Sequence, residues 1–420
     1  MEVPQGYKQT SIGIIPEDWE EMELGKIGKF FKGRGVPKDK IVKEGFKCLT
    51  YGDLYTKYDI LIKDVKSHIT QETAEISQQI EFGDICIAGS GETIEDIGKC
   101  ATFVADEIGY AGGDIIVFRS DNNAVTLSYI LNSDTAKRQK YKFGQGHSVV
   151  HIYSSQLEKL KIPLPPLPEQ QKIAEILSTW DKAIETCQKT IEVLKQRNKG
   201  LAQQLLSGKT KVKGFEKTEW KAVKLGEIGK ITSNGVDKKI IEGEIPVRLL
   251  NYLDVYRRNY LFSNEISHTV TTTQQKVLTC DVKKGDVFFT PSSEVRNDIA
   301  VSAVAMEDFE NTVYSYHVVR LRFNQEMDLQ FKAHIFKTDL FFRQAQRICE
   351  GSGTRYVVSQ EYFRNISISI PELEEQKQIG NILCNADKEI KHYEEKLANL
   401  KLQKKGLMQQ LLTGKVRVRI

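Results

Sequence analysis

Several things are scarce in this sequence, and each scarcity removes a class of protein. The seven cysteines are scattered and form no Cys-x-x-Cys pair, so zinc ribbons and disulfide scaffolds are poor readings. An odd, unpaired set points to reduced thiols and a cytoplasmic protein. No run of about 18 apolar residues exists, so no transmembrane helix is expected. Met1-Glu2-Val3-Pro4-Gln5 opens without a basic stretch followed by an apolar one, so no secretory signal is expected. Net charge is only +4, which permits a nucleic-acid partner without arguing for one. Proline is sparse, 10 against 30 glycines. What is present is ordinary: 420 residues, 40% hydrophobic and 9% aromatic. That is material for two or three cores and too much for a disordered chain.

Catalytic constellations are also missing. Leu206-Ser207-Gly208-Lys209-Thr210 ends like a phosphate-binding loop, but Gln203 stands where its first glycine belongs. The segment reads instead as a helix stop with a solvated lysine. Gly89-Ser90-Gly91-Glu92 reads as a small turn, without a dinucleotide fingerprint around it. His147 and His151 are four apart, yet no His-Glu-x-x-His accompanies them, so a metal is not expected there. Asp106 and Glu107 read as solvated carboxylates. The chain is expected to bind or scaffold rather than catalyse.

The chain repeats itself at half its length. Trp19-Glu-Glu-Met-Glu-Leu-Gly-Lys-Ile-Gly-Lys returns as Trp220-Lys-Ala-Val-Lys-Leu-Gly-Glu-Ile-Gly-Lys. Tyr51, Asp53 and Tyr55 align with Tyr252, Asp254 and Tyr256. Gly83-Asp84-Ile85 aligns with Gly285-Asp286-Val287, Ser90 and Glu92 with Ser292 and Glu294, and Gly144-Gln145-Gly146 with Gly351-Ser352-Gly353. The match is strongest between Pro165–Lys209 and Pro371–Lys415, where about 21 of 45 positions are identical. Each half thus has a variable body and a near-constant tail. Two modules doing one job on different targets would look like this; so would an old duplication without functional meaning.

The bodies read as compact α+β domains. Runs such as Asp114–Phe118 and His317–Leu321 have strand character, and helical patterns cover Val125–Lys142 and Gln330–Cys349. Pro163, Pro165, Pro166 and Pro168 read as a rigid lead-in that stops any strand before it. The tails read as long helices. Ile173, Leu177, Trp180, Ile184, Cys187, Ile191, Leu194, Asn198, Leu201 and Leu205 step by four and three. Ile379, Leu383, Ala386, Ile390, Tyr393, Leu397, Leu400, Lys404, Leu407 and Leu411 repeat the seam. Glycines 208 and 414 then stop the helices. A helix of about 38 residues, roughly 57 Å, with so narrow a seam requires a partner helix. Charge selects the orientation. Glu169, Glu175, Asp181, Glu185 and Glu192 precede Lys195, Arg197 and Lys199. Glu375, Asp387, Glu389, Glu394 and Glu395 precede Lys396, Lys401, Lys404 and Lys405. Antiparallel pairing sets acid against base, although the same bias also suits each helix dipole. Asn198 and Lys404 occupy equivalent seam positions, either fixing register or lying near frayed ends.

Cations and aromatics interleave with glycine in the loops. The candidates for phosphate and base-edge contacts in the first body are Lys32, Arg34, Tyr51, Ser90, Lys140, Lys142, Gln145, His147 and Ser148. In the second they are Asn251, Arg257, Ser292, Arg296, Asn297, Arg343, Arg347, Ser352, Thr354, Arg355 and Tyr356. An ordinary solvated surface is the alternative for any one of them.

These residues carry a family resemblance. Tyr7-Lys-Gln-Thr-Ser-Ile-Gly-Ile-Ile-Pro-Glu-Asp-Trp19 resembles the opening of type I restriction-modification specificity subunits. So do Ile162-Pro-Leu-Pro-Pro-Leu-Pro-Glu-Gln-Gln-Lys-Ile173 and its copy from Ile370, and Gln203-Gln-Leu-Leu-Ser-Gly208 with Gln409-Gln-Leu-Leu-Thr-Gly414. The resemblance spans the chain. It implies two pseudo-two-fold related α+β target recognition domains, separated by two long antiparallel coiled-coil helices. Residues 1–165 and 209–370 would be the recognition domains, 166–208 and 371–415 the spacer helices, and 416–420 a tail. Each domain would read half of a split double-stranded DNA site. The helices would set the spacing and dock two methyltransferase subunits. Those subunits would carry S-adenosylmethionine and flip the target adenine out of the duplex. Restriction subunits would use ATP and Mg. This chain would hold no catalytic residue, cofactor or metal. Glu372 and Glu374 replace the prolines found at 166 and 168, which would loosen the second lead-in. A standalone nuclease with fused recognition domains, or a coiled-coil scaffold without nucleic acid, are the competing classes.

Overall fold

The computed structural model describes residues 3–146, 149–352 and 355–420. The backbone forms two compact units, Met1–Cys187 with Lys396–Ile420, and Gln188–Glu395. Two long helices, Leu167–Leu206 and Leu373–Leu411, each contribute one half to each unit. Among the described residues no helix is long and apolar enough to cross a membrane.

The first body is built on a five-stranded sheet ordered Lys29–Lys32, Ile115–Arg119, Ile85–Ala88, Cys100–Phe103, Leu61–Ile62. Its centre is apolar on both faces, because strand side chains alternate. Ile85, Ile87, Ile116 and Phe118 pack against Leu127, Ile130, Ile173, Leu177 and Leu411. Cys86, Ala88, Ile115 and Val117 pack on the other side with Leu49, Ile80 and Ala111. The latter belong to a second sheet ordered Ile41–Val42, Ser67–Ile69, Phe46–Leu49, Gly109–Ala111, Gln78–Ile80. The second unit repeats this plan. Gly229–Thr232, Val319–Phe323, Val287–Phe289, Ser302–Ala305 and Tyr260–Leu261 form its five-stranded sheet. Its other sheet has four strands, Thr269–Thr272, Ile245–Leu250, Phe309–Tyr314 and Asp281–Val282, with no counterpart of Ile41–Val42.

Several repeated motifs turn out to be structural. Asp84 is buried, accepts the Glu81 N–H at 2.9 Å, and takes both arms of Arg119 at 2.7 Å. Asp286 does the same with Lys283 and with Arg322, at 2.8 and 2.6 Å. The Gly-Asp repeat is therefore a turn closed by a bidentate ion pair. The Trp19 indole donates to buried Glu169 at 2.8 Å, and the Trp220 indole to buried Glu375 at 3.1 Å. The neighbouring Gln170 and Gln376 accept the N–H groups of Asn123 and Asp328 and donate to the Pro165 and Pro371 carbonyls. The Glu-Gln pair shared by both tails thus fastens each long helix to its body.

Four local readings require correction. The helical pattern over Val125–Lys142 is two helices, Ala124–Leu131 and Asp134–Phe143, because Ser133 caps the second. Thr338 likewise divides Leu329–Ile335 from Asp339–Ile348. Ser90–Gly91 is a short strand paired with Val150–His151, not a bare turn. Pro163 lies inside the strand Lys161–Leu164, at a sheet edge where its missing N–H is tolerated. The second lead-in has the same length as the first: strand Ser367–Ile370 runs into a helix that begins at Leu373, as Lys161–Leu164 runs into one that begins at Leu167.

Within each unit the two long helices run antiparallel. In the second unit Lys195 pairs with Glu394 at 2.7 Å and Arg197 with Glu389 at 2.6 Å. Asn198 is buried there and donates to the Ala386 carbonyl at 2.8 Å. In the first unit the equivalent Lys404 is buried, pairs with Asp181, and lies 5.3 Å from the Tyr129 ring. Both polar seam residues therefore bond across the helix pair rather than fraying. Every apolar seam position is buried or half-buried. Ile173, Leu177, Leu407 and Leu411 belong to the first body's core, and Leu201, Leu205, Ile379 and Leu383 to the second's. Trp180, Ile184, Ile191, Leu194, Ile390, Tyr393, Leu397 and Leu400 lie in neither body core. Both helices stop at a glycine with φ of +69°, Gly208 and Gly414, a left-handed cap that other residues strain to adopt.

Candidate nucleic-acid interface

In the second unit several candidate loops converge. The strand Ser292–Ser293 pairs with Arg355–Val357, which pairs with Glu350–Ser352. Beside them the helix Tyr252–Tyr256 presents two tyrosines four residues apart. Their rings stack at 5.8 Å, inclined by 18°. The Tyr252 hydroxyl donates to the Ser292 carbonyl at 3.0 Å and that of Tyr256 to Asp298 at 2.9 Å. Burial raises the Tyr252 pKa, and the Asp298 hydrogen bond raises that of Tyr256. Tyr252, Tyr256, Ser292, Glu294, Asp298 and Arg355 border a cavity of about 440 Å³. Exposed Arg355 supplies its cation. Such a surface offers an aromatic wall, one guanidinium and a set of acceptors, the chemistry that base edges and phosphates match.

In the first unit another place stands out. A cleft of about 450 Å³ is lined by Arg34, Phe46, Gln71, Gln78, Gln79 and Tyr110. Phe46 is exposed and meets Tyr110 edge to face at 6.0 Å. The Arg34 backbone is anchored on the Ala111 carbonyl at 3.1 Å. In the second unit Lys276 crosses the equivalent position, donating to the Asn234 and Gly235 carbonyls at 2.7 and 3.2 Å. The two bodies therefore offer unlike surfaces on one scaffold.

Of the sequence candidates, Lys32, Arg34, Tyr51, Lys142, Gln145, Arg257, Asn297, Arg343, Arg347 and Arg355 are exposed, and Tyr356 is half-buried. Arg296 is exposed but spends its guanidinium on the Gln346 carbonyl at 2.9 and 3.1 Å. Ser352 ends a strand. His147, Ser148 and Thr354 lie outside the described residues. Two candidates are corrected. Lys140 is buried, donates to the Gly98 carbonyl at 2.6 Å, and has its pKa pushed down to about 8 by burial. Ser90 is buried with its hydroxyl 2.9 Å from His151 Nδ1. Asn251 is half-buried at the N-cap of the tyrosine helix; its side-chain amide donates to the Leu249 carbonyl at 3.1 Å, and its Oδ1 has no partner among the described residues. Gln71, Gln78, Gln79, Phe46 and Tyr256 also border these cavities and were not among the candidates. Of these, Tyr256 stood out in the sequence as the repeat partner of Tyr55, and Gln78-Gln79 as a paired polar dipeptide.

Fold and surface together define a protein that carries two similar folds with divergent surfaces on long shared helices. The family model described as the type I restriction modification DNA specificity domain matches residues 16–196 and again 217–402. The chain belongs to that family: it is a non-catalytic subunit that confers DNA specificity. It is 28% identical to the type I restriction enzyme MjaVIII specificity subunit of Methanocaldococcus jannaschii, covering 99% of this chain and 97% of the relative. It is 21% identical to the EcoKI specificity subunit of Escherichia coli, over 88% of this chain and 82% of that one. Its fold is that of the type I restriction-modification S subunit from M. genitalium (TM-score 0.56, 15% identity, 98% of both chains). A structure described under the assembly and conformational transition of the type I system gives a TM-score of 0.60 at 17% identity, over 96% of this chain and 99% of that one.

Proposed function

We propose that residues 1–165 and 209–370 each read one half of a split double-stranded DNA site. The helices 166–208 and 371–415 set the half-site spacing and dock two methyltransferase subunits, and 416–420 is a tail. The observation that carries this reading is the duplication itself: one scaffold, repeated, with unlike polar and aromatic surfaces. The methyltransferase subunits would bring S-adenosylmethionine, and restriction subunits ATP and Mg, in the cytoplasm. Base contacts fall to Tyr252, Tyr256 and Arg355 in one body and to Arg34 with Gln71, Gln78 and Gln79 in the other. Phosphate contacts fall to Lys32, Lys142, Arg257, Arg343 and Arg347.

The test is a methylation map of DNA from cells expressing the chain with its methyltransferase, against cells lacking the chain. A new motif of two short halves with a fixed gap is expected. A single undivided motif would contradict the two-reader model, and no motif from an intact complex would contradict the assignment of specificity to this chain. In the assembled complex, Arg355→Ala should relax one half-motif alone, at about 1–3 kcal/mol. Arg347→Ala should weaken binding uniformly and reduce the salt slope by about one.

A further inference from the structure

The second unit contains a polar pocket beside its long helices. A cavity of about 250 Å³ lies between body and helices, bordered by Lys337, Lys199, Asn198, Asn259, His334 and Asp387. The Lys337 ammonium is buried and has no hydrogen-bond acceptor among the described residues. A cation left this way costs the chain stability unless something completes it.

The internal repeat shows how the orphan arises. Lys337 immediately precedes Thr338, the cap of Asp339–Ile348. Its equivalent is Asn132, which precedes Ser133, the cap of Asp134–Phe143. Asn132 is fully bonded to the N–H and carbonyl of Cys100 and to the Ser128 carbonyl. The first unit draws its cation from the helix instead, as Lys404 paired with Asp181. The second unit has Asn198 there and places its cation on the body.

The acids beside the pocket are already engaged by neutral donors. Asp387 accepts Asn259 and the Tyr260 hydroxyl, both at 3.1 Å. Asp339 accepts Gln203 at 2.9 Å. Lys195 is paired with Glu394. His334 shares a 2.9 Å hydrogen bond with Tyr260, and burial pushes its pKa down to about 3, so it is neutral. Lys337 and exposed Lys199 thus face the cavity with no carboxylate of their own. A cavity of this size exceeds the roughly 30 Å³ of one water several-fold.

We propose that this pocket binds a small oxyanion, a phosphate or carboxylate group held by Lys337 and Lys199. Burial lowers the Lys337 pKa to about 7, against a raising influence from Asp387. An oxyanion would favour the charged form, so binding should weaken as pH rises above neutrality.

The test uses the full chain. Its melting temperature is followed in inorganic phosphate, in acetate, and in chloride at matched ionic strength, just below neutral pH. Isothermal titration of phosphate accompanies the melts. A saturable rise over chloride is expected with one oxyanion, and which one raises it names the group. Lys337→Met and Lys337→Asn should each weaken binding about tenfold or more, the loss of one charge-assisted hydrogen bond. Lys199→Met should weaken it less. No rise in wild-type protein with either oxyanion, or an undiminished rise in both Lys337 variants, would overturn the proposal. The outcome is independent of DNA recognition.

Discussion

Lys140 and Lys142 sit two apart on one short helix and have opposite fates. Ala136 and Lys140 are buried on one face, while Lys142 is exposed. In the sequence both belong to a basic cluster, and charge alone does not tell which lysine turns inward. The burial has a titration signature. The folded pKa of Lys140 is about 8, below the roughly 10.4 of an unfolded lysine. Between these values the unfolded chain binds a proton that the folded chain does not, so stability must rise with pH across that window. Lys140→Met should remove the rise, up to about 1.4 kcal/mol per pH unit, in melts compared from pH about 8 to 10. Its DNA selectivity should be unchanged; altered selectivity would return Lys140 to the interface. Asp286 offers a second check. Asp286→Ala removes the bidentate partner of Arg322, leaves it with Asp281 alone, and should cost about 1.5–3 kcal/mol in denaturant unfolding. A loss well under 1 kcal/mol would mean that the Gly-Asp repeat is not a structural clamp.

Among the elements, the long helices were legible and the short ones were not. A heptad seam and a charge gradient are one-dimensional patterns, so Ile173 through Leu205 and their copies could be read directly. The pairing of Arg197 with Glu389 follows from that gradient. These side chains are nearly half exposed, so Arg197→Glu should cost only about 0.2–1 kcal/mol. Adding Glu389→Arg should recover it; a double variant no better than the single would argue against the pairing. The bodies were harder, because strands of two to six residues joined by caps leave little periodicity. Ser133 and Thr338 split helices that looked continuous, and the residues of the Arg34 cleft come from four separated segments. The interface was legible as a composition, basic and aromatic loops, but not as a place. Its second half depends on a hairpin that only the fold brings beside Tyr252.

At the level of the whole molecule, the repeat makes each body exchangeable in principle. Each is fastened to the frame by the same parts, a tryptophan on a buried glutamate and a glutamine on the opening of a short helix. Replacing 209–370 with the equivalent body of a relative should change one half of the methylated motif and leave the other half and the gap intact. A change in both halves would mean that the bodies do not read separately.

Segments far apart in sequence meet in the first unit. Tyr7 donates to the Gly414 carbonyl at 2.9 Å, and Arg417 pairs with Asp18 and Glu169 at 2.7 and 2.8 Å. In the second unit Lys211 takes the place of Arg417 against Trp220 and Glu375, at 5.1 and 3.5 Å, but there the backbone runs through unbroken. One unit thus joins separate segments where the other has continuous backbone. A circularly permuted protein, opened within 209–217 and joined by a short linker between the segments around Arg417 and Tyr7, should fold and direct methylation to the same motif.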